Sequence, residues 1–385
     1  MTALHDPILA LFGAKQYFFY PVVAAAMTIG YGTREGESAL RNDAKIVACF
    51  LIPITALSLI EILLPADYWI NTGIGGNPLD MFSAGGRLRI SGTFASGGQF
   101  CYFLNAFAFI GCIWIFGSTR SRRGKLGNFL QITVIACYGI STFATGDRTA
   151  VWGDAAVLAI GSAIALFKGT SLATIKLPVY IAIGIVITIV ARDIVPYAFD
   201  AYNARSSGEA TYSHRQEMTD RIVDMLVGWT KGTPEAPPTF LGYGVGVMSN
   251  GSYMVSGYAN EWRAGGFWTE NELATVLFEG GWYLIVIWEG FKIAVITASI
   301  FLVNRIRRPE WLIVSSVACG FVVVYAVIAQ ISNQPPAAIW LWLACGTVMA
   351  VARIEGMKMA GLKSLQRPSG RAPIRNQWVR EANGF

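Results

Sequence analysis

The sequence predicts an all-α fold, a polytopic bundle of transmembrane helices. Three observations predict it. The 385 residues are 54% hydrophobic and only 14% charged, with a mean hydropathy of +0.47, whereas soluble domains carry about 25% charged residues. Apolar runs near the length a helix needs to cross the hydrocarbon core recur along the chain. The connections between them alternate between basic and non-basic, as they do when one set stays in the cytoplasm.

Nine apolar segments follow in order, at 17–32, 44–64, 99–117, 126–145, 150–167, 177–195, 273–303, 311–332 and 336–352. The first is short. The fourth and fifth are joined by a tight turn at 146–149. The seventh is long enough to tilt or to project beyond the bilayer. The chain therefore divides into helices over 1–195, a large loop over 196–272, further helices over 273–352 and a basic tail over 353–385.

The cytoplasmic set holds Arg34 to Lys45, Arg120 to Lys125, Lys168 with Lys176, Arg305 to Arg308, and the tail from Arg353 to Arg380. The opposite side receives 65–98, 146–149, 196–272 and the SNQPP near 332–336. This sidedness leaves the amino terminus outside. Either further helices precede it, or 1–16 packs in the membrane interface. The tail reads as a solvated end, with binding to anionic lipid as the alternative.

Several function classes fall away. A net charge of +6 in such a chain is loop charge; no segment has the pattern of a nucleic-acid reader. The six cysteines lie in apolar runs and none forms a CxxC pair, so neither a disulfide framework nor a zinc site is predicted. Two histidines, His5 and His214, cannot build a multi-histidine metal centre. No metal and no cofactor are predicted. The start lacks a basic region leading into an apolar run, so no cleavable signal peptide is predicted. No internal repeat is visible, which counts against an inverted-repeat transporter.

The chemistry concentrates in and around 196–272, a stretch far longer than an ordinary connection. An amphipathic helix is predicted from Ser213 to Trp229, with Ile222, Met225, Leu226 and Trp229 on one face. FLGYGVGV follows, where Gly242, Gly244 and Gly246 permit close backbone approach. Without a βαβ context this GxGxG does not make a dinucleotide fold. Three arginines belong to the same predicted side: Arg148 in TGDRTA, Arg215 in SHRQEM, and Arg87 or Arg89 in GGRLRISGTF. A guanidinium at a membrane edge needs a partner or an anion, and its planar fork suits phosphate oxygens. Asp147 and Asp220 are the available carboxylate partners. Trp229, Tyr243, Tyr253, Tyr258, Trp262 and Trp268 are aromatic surfaces for sugars, or else an interfacial belt or the core of the loop.

The stretch WTENELATVLFEGGW, 268–282, splits into parts. Thr269 and Glu272 have the spacing of a capping box that opens the seventh span. Glu270 and Asn271 fall in its first turn. Glu279 falls two turns inside, where a carboxyl must face a polar cavity or another side chain rather than lipid.

In order along the chain, FGAKQYFFYPVV, GRLRISGTFASGGQF, TGDRTAV, HRQEM with FLGYGVG, and ENELATVLFEGG resemble the O-antigen ligase and polysaccharide polymerase superfamily of bacterial inner-membrane proteins. The resemblance covers most of 10–290. It implies a GT-C-like, metal-independent glycosyltransferase in the inner membrane, with its active site and one long loop containing short helices facing the periplasm. It implies an undecaprenyl-diphosphate-linked oligosaccharide as donor, gripped at the diphosphate by Arg148 and Arg215. Where the ligases carry His-Asn at the head of the helix after the loop, this chain has Glu270-Asn271. The Pro-Asn that follows GTF in the family pattern is absent from GTFASGG. Both departures point toward a polymerase of exopolysaccharide, capsule or O-antigen, with ligase as the alternative and a transporter or flippase as the further one. Membrane lipid, a chain-length regulator and a flippase are the expected partners, and nucleic acid is not one.

The expected mechanism is an inverting transfer. Glu270 is the first choice as base toward the acceptor hydroxyl and Glu279 the second. Arg148, Arg215, Arg89, Asn271 and Tyr243 are the expected substrate-binding residues.

Overall fold

The computed structural model describes residues 6–33, 35–65, 67–72, 90–117, 125–168, 176–206, 240–249, 251–264 and 272–366. Its elements are helices: α1 (Pro7–Phe18), α2 (Pro21–Tyr31), α3 (Gly36–Leu63), α4 (Gly97–Phe116), α5 (Lys125–Ala144), α6 (Arg148–Lys168), α7 (Lys176–Ile194), α8 (Tyr197–Ser206), α9 (Ser252–Val255), α10 (Gly257–Ala264), α11 (Glu272–Val303), α12 (Pro309–Ile328) and α13 (Pro335–Gln366), with one 3-10 turn at Trp69–Asn71. Among the described residues, eight helices are long and apolar enough to cross a membrane, and the bent pair α1–α2 would make a ninth.

Each predicted apolar segment meets a helix, with three differences. The first becomes a pair bent by 45°. Pro21 has no N–H to give and its ring excludes a straight continuation, so α1 stops and α2 restarts with proline in its first turn. Residues 7–16 are therefore helix, opened by Asp6, whose carboxylate accepts the Leu9 N–H at 2.9 Å. The seventh segment is not one rod, because Gly281 (φ 61°, ψ −160°) breaks α11. The ninth runs past 352 to Gln366, so the first part of the predicted tail continues the helix.

Two helices form the centre. Three quarters of the residues of α4 and of α12 are buried, and their rings meet at Phe109–Phe321, 5.4 Å apart. α7 lies at the rim and presents Val179, Ile183, Val186 and Ile189 outward, as a lipid-facing helix does. Backbones approach most closely at glycine. A Cβ on Gly320 would stand 2.6 Å from the Val157 carbonyl, and one on Gly161 would stand 2.7 Å from Val317 Cα, which seats α6 on α12. Lipid tails are as apolar as the side chains, so such close packing, rather than hydrophobic exclusion, holds membrane helices together.

The bundle has two chemically different ends. At one, Arg308 binds both oxygens of Glu37 (2.9 and 3.1 Å) and also Glu355, while the Lys358 ammonium reaches Glu37 at 2.7 Å. Lys168 donates to the Val303 and Ile306 carbonyls at 2.5 and 2.8 Å, closing the end of α11. Lys168, Arg308 and Lys358, from three of the basic connections far apart in sequence, thus gather at one end. The other end holds the start of α11 with the loop 240–249 docked on it, and the turn at Asp147, which with Glu272 comes close to the Tyr102 hydroxyl.

Candidate functional site

The polar end is built around the break in α11. A helix interrupted at Gly281 leaves carbonyls without intrahelical partners. The glycine loop supplies them: Tyr243 N–H donates to the Phe278 carbonyl and Gly244 N–H to the Glu279 carbonyl, both at 2.8 Å. This docking is backbone on backbone. A Cβ on Gly281 would stand 2.1 Å from the Phe240 carbonyl, and one on Gly242 2.6 Å from Gly280 N. Gly242 also has a φ of +69°, a conformation that glycine adopts without penalty.

The Glu279 side chain fixes the same loop from within. It is 1% exposed. One oxygen accepts the Met248 N–H at 2.9 Å and the other accepts the Tyr17 hydroxyl at 2.8 Å. The expectation that this carboxyl faces another side chain holds, and the partner comes from α1, 262 positions earlier. α1 lies directly on the loop, for a Cβ on Gly13 would meet Gly246 N at 2.4 Å.

Glu272 has a task that its spacing does not predict. Its carboxylate accepts the Trp288 indole N–H at 2.8 Å, the Ser332 hydroxyl at 2.8 Å and the Ser332 N–H at 3.1 Å. It joins both sides of the break to the connection between α12 and α13. The capping-box residue Thr269 lies outside the described residues.

Tyr243 packs against Trp262 and Phe278, with ring centroids 4.6 and 4.7 Å away, and its carbonyl accepts the Tyr258 hydroxyl at 3.2 Å. Three of the candidate sugar-stacking rings therefore pack on each other as loop core. Arg148 opens α6, and the turn before it lies near the start of α11, since Asp147 and Glu272 both come close to the Tyr102 hydroxyl. Asp147 beside it accepts the Thr149 N–H at 2.9 Å, capping that helix. The structure thus brings Glu279 and Tyr243 together and places Arg148 at their end. Glu270, Asn271, Arg215 and Arg89 lie outside the described residues, as does the predicted helix 213–229.

Several buried polar residues escaped the sequence reading. Glu61, in the last turn of α3, accepts the Ser91 and Gly92 N–H groups, each at 3.0 Å. It holds the end of GRLRISG against the bundle. Asn105 on α4 donates to Asp154 on α6 at 2.8 Å and to the Ala150 carbonyl at 2.9 Å, and it accepts from Tyr325 on α12 at 2.9 Å. Thr142 on α5 donates to the other Asp154 oxygen at 3.1 Å. Tyr17 is another. Each lies in an apolar run, and that was the available signal, because a polar group inside a membrane helix needs an inward partner. Among the described residues no group of three or more histidine, cysteine, aspartate or glutamate side chains gathers to hold a metal ion.

Eight apolar helices joined through buried polar contacts define a multi-pass helical membrane protein. No protein-family model matches the chain, and a search of the curated proteins finds no match.

Proposed function

We propose that the chain is a polysaccharide polymerase of the bacterial inner membrane, joining undecaprenyl-diphosphate-linked oligosaccharide repeats on the periplasmic face by a GT-C-like inverting glycosyl transfer. One observation carries most weight: the arginine-bearing turn at Arg148, the docked glycine loop and the break in α11 share one end of the bundle, opposite the basic end. A catalyst acting on a lipid-linked donor needs its polar groups at one membrane face. The ordered motifs from FGAKQYFFYPVV to ENELATVLFEGG supply the family reading.

In this reading the acceptor hydroxyl attacks the anomeric carbon as its bond to the diphosphate breaks. The diphosphate leaves with the electron pair, and the proton passes to the base. Arg148 and Arg215 neutralise the leaving charge, with Arg89 and Asn271 beside the substrate. Both oxygens of Glu279 are already engaged, so the base is Glu270. A chain-length regulator and a flippase are the partners such a polymerase needs.

The transporter reading draws on the polar groups inside the bundle. Two of these sets are closed: the Phe278 and Glu279 carbonyls at the break are capped by the loop, and the Asp154 oxygens are taken by Asn105 and Thr142. The test is to mix purified protein in lipid nanodiscs with native lipid-linked repeat units. Longer lipid-linked glycan is the expected product. Transfer to a different acceptor without lengthening makes it a ligase. Movement of the substrate across reconstituted vesicles with no glycan product overturns the enzyme reading.

A further inference from the structure

Glu279 and Tyr17 do more than satisfy each other. The break in α11 and the glycine loop complete one another. The break removes the intrahelical partners of the Phe278 and Glu279 carbonyls, and the loop brings N–H groups to both. Those backbone pairs fix the loop at Tyr243 and Gly244. A few residues on, a second attachment is made by a side chain, where the Glu279 carboxylate takes the Met248 N–H. Its other oxygen takes the hydroxyl of Tyr17. Tyr17 is itself 2% exposed and is held edge-on against the Trp288 ring at 4.9 Å. Trp288 in turn donates to Glu272.

The loop is therefore held from two sides: by the start of α11 at 278–279, and by α1 through Gly13 and Tyr17. Leu9 of α1 joins Val247, Met248 and Ala259 in a small apolar cluster that Trp262 and Phe278 cover. The polar contact at Glu279 adjoins this cluster, away from water, where an unmet donor or acceptor is costly. In sequence, this loop stands between the stretch carrying Arg215 and the stretch carrying Glu270. Whatever sets the loop's register sets the anchor points of both.

We propose that Tyr17 and Glu279 are a positioning pair. They lock the glycine loop 240–249 to the break in α11 and thereby set the placement of the substrate-binding stretches on either side of it. Neither residue touches the reacting atoms. The catalytic consequence rests on the glycosyl-transfer reading above; the lock itself does not.

The experiment uses the full chain in nanodiscs, as wild type, Tyr17→Phe and Glu279→Gln, with Gly13→Ala as an independent perturbation of the α1–loop contact. Three quantities are read: amide hydrogen exchange at 243–248, thermal unfolding of the bundle, and turnover of lipid-linked repeat units with the KM for that donor. Tyr17→Phe removes one hydroxyl and keeps the ring. The expected result is faster exchange at Met248 by about tenfold, the scale of one buried hydrogen bond, with unfolding of the bundle little changed. Turnover falls by a similar factor while KM for the donor moves less. Glu279→Gln keeps one acceptor oxygen, so it is expected to retain more protection than Gly13→Ala. Unchanged exchange in Tyr17→Phe overturns the lock. Faster exchange with unchanged turnover overturns its positioning role. If wild-type protein lengthens no glycan, the enzyme reading fails, and the exchange measurement still decides the lock.

Discussion

Asn105 and Asp154 face each other across the α4–α6 contact, amide nitrogen to carboxylate oxygen at 2.8 Å, with both side chains buried. Asn105 also accepts the Tyr325 hydroxyl, and Asp154 also accepts from Thr142. Four helices thus share one polar junction in an apolar core. A fully paired junction holds one arrangement of helices, whereas a half-paired one is worse than none. Asn105→Leu strands Asp154 and Tyr325 and is expected to destabilise by about 1–3 kcal/mol for each stranded group. Thermal unfolding in detergent measures it, and an unchanged midpoint would show that the junction does not hold the fold.

Glycines divide by what surrounds them. Gly320→Ala puts a methyl group 2.6 Å from the Val157 carbonyl and 2.8 Å from Gly161 N, so α6 and α12 must separate. Gly290→Ala on α11 meets nothing within 4 Å and is expected to be neutral or stabilising by up to about 1 kcal/mol through helix propensity. Comparing the two unfolding midpoints checks the contrast; equal effects would contradict the close approach.

Gly281→Ala tests the break itself. The backbone there is at φ 61°, ψ −160°, a conformation that costs a side-chain-bearing residue about 1–3 kcal/mol, and the Phe240 carbonyl leaves no room for a Cβ. The expected outcome is release of the loop, read as faster exchange at the Tyr243 and Gly244 amides while amides in α12 stay protected.

Arg308 engages two carboxylates on different helices, Glu37 on α3 and Glu355 on α13. Lysine carries the charge without the planar fork. Arg308→Lys is expected to lose part of the coupling to Glu37, about 1 kcal/mol or less because the groups are partly exposed. A double-mutant cycle with Glu37→Gln measures it, and zero coupling would make the contact incidental.

The proposed roles of Arg148, Arg215 and Glu270 are tested in a strain that depends on the gene, with the glycan separated by size. Arg215→Ala, Arg148→Ala and Glu270→Gln are each expected to leave single lipid-linked repeats accumulating. Full-length polymer made by well-expressed Glu270→Gln protein would remove Glu270 as the base. Full-length polymer in the arginine variants would rule out their proposed grip on the diphosphate.

The apolar segments were legible because length and apolarity are local properties, written into each run. The gathering of Lys168, Arg308 and Lys358 at one end was legible for a similar reason, since alternation along the chain becomes alternation between ends. The partners of Glu272 and Glu279 were not. Spacing offers Glu272 only a local cap, whereas Ser332 and Trp288 donate to it from segments that the sequence does not place beside it. The outline of the candidate site was visible in FLGYGVG and FEGG, but their docking on each other was not. Pairing between the Tyr243 and Gly244 N–H groups and the Phe278 and Glu279 carbonyls depends on where α11 breaks.

The sequence alone determined a many-helix membrane protein and the order of its apolar spans. Only the tertiary structure decided that Pro21 bends the first span, that Gly281 breaks the seventh, and that Tyr17 meets Glu279 across 262 positions. The physical reason is range. Apolarity and helix spacing act over a few neighbouring residues, whereas a buried hydroxyl or carboxylate takes whichever partner the packed helices bring within hydrogen-bonding distance.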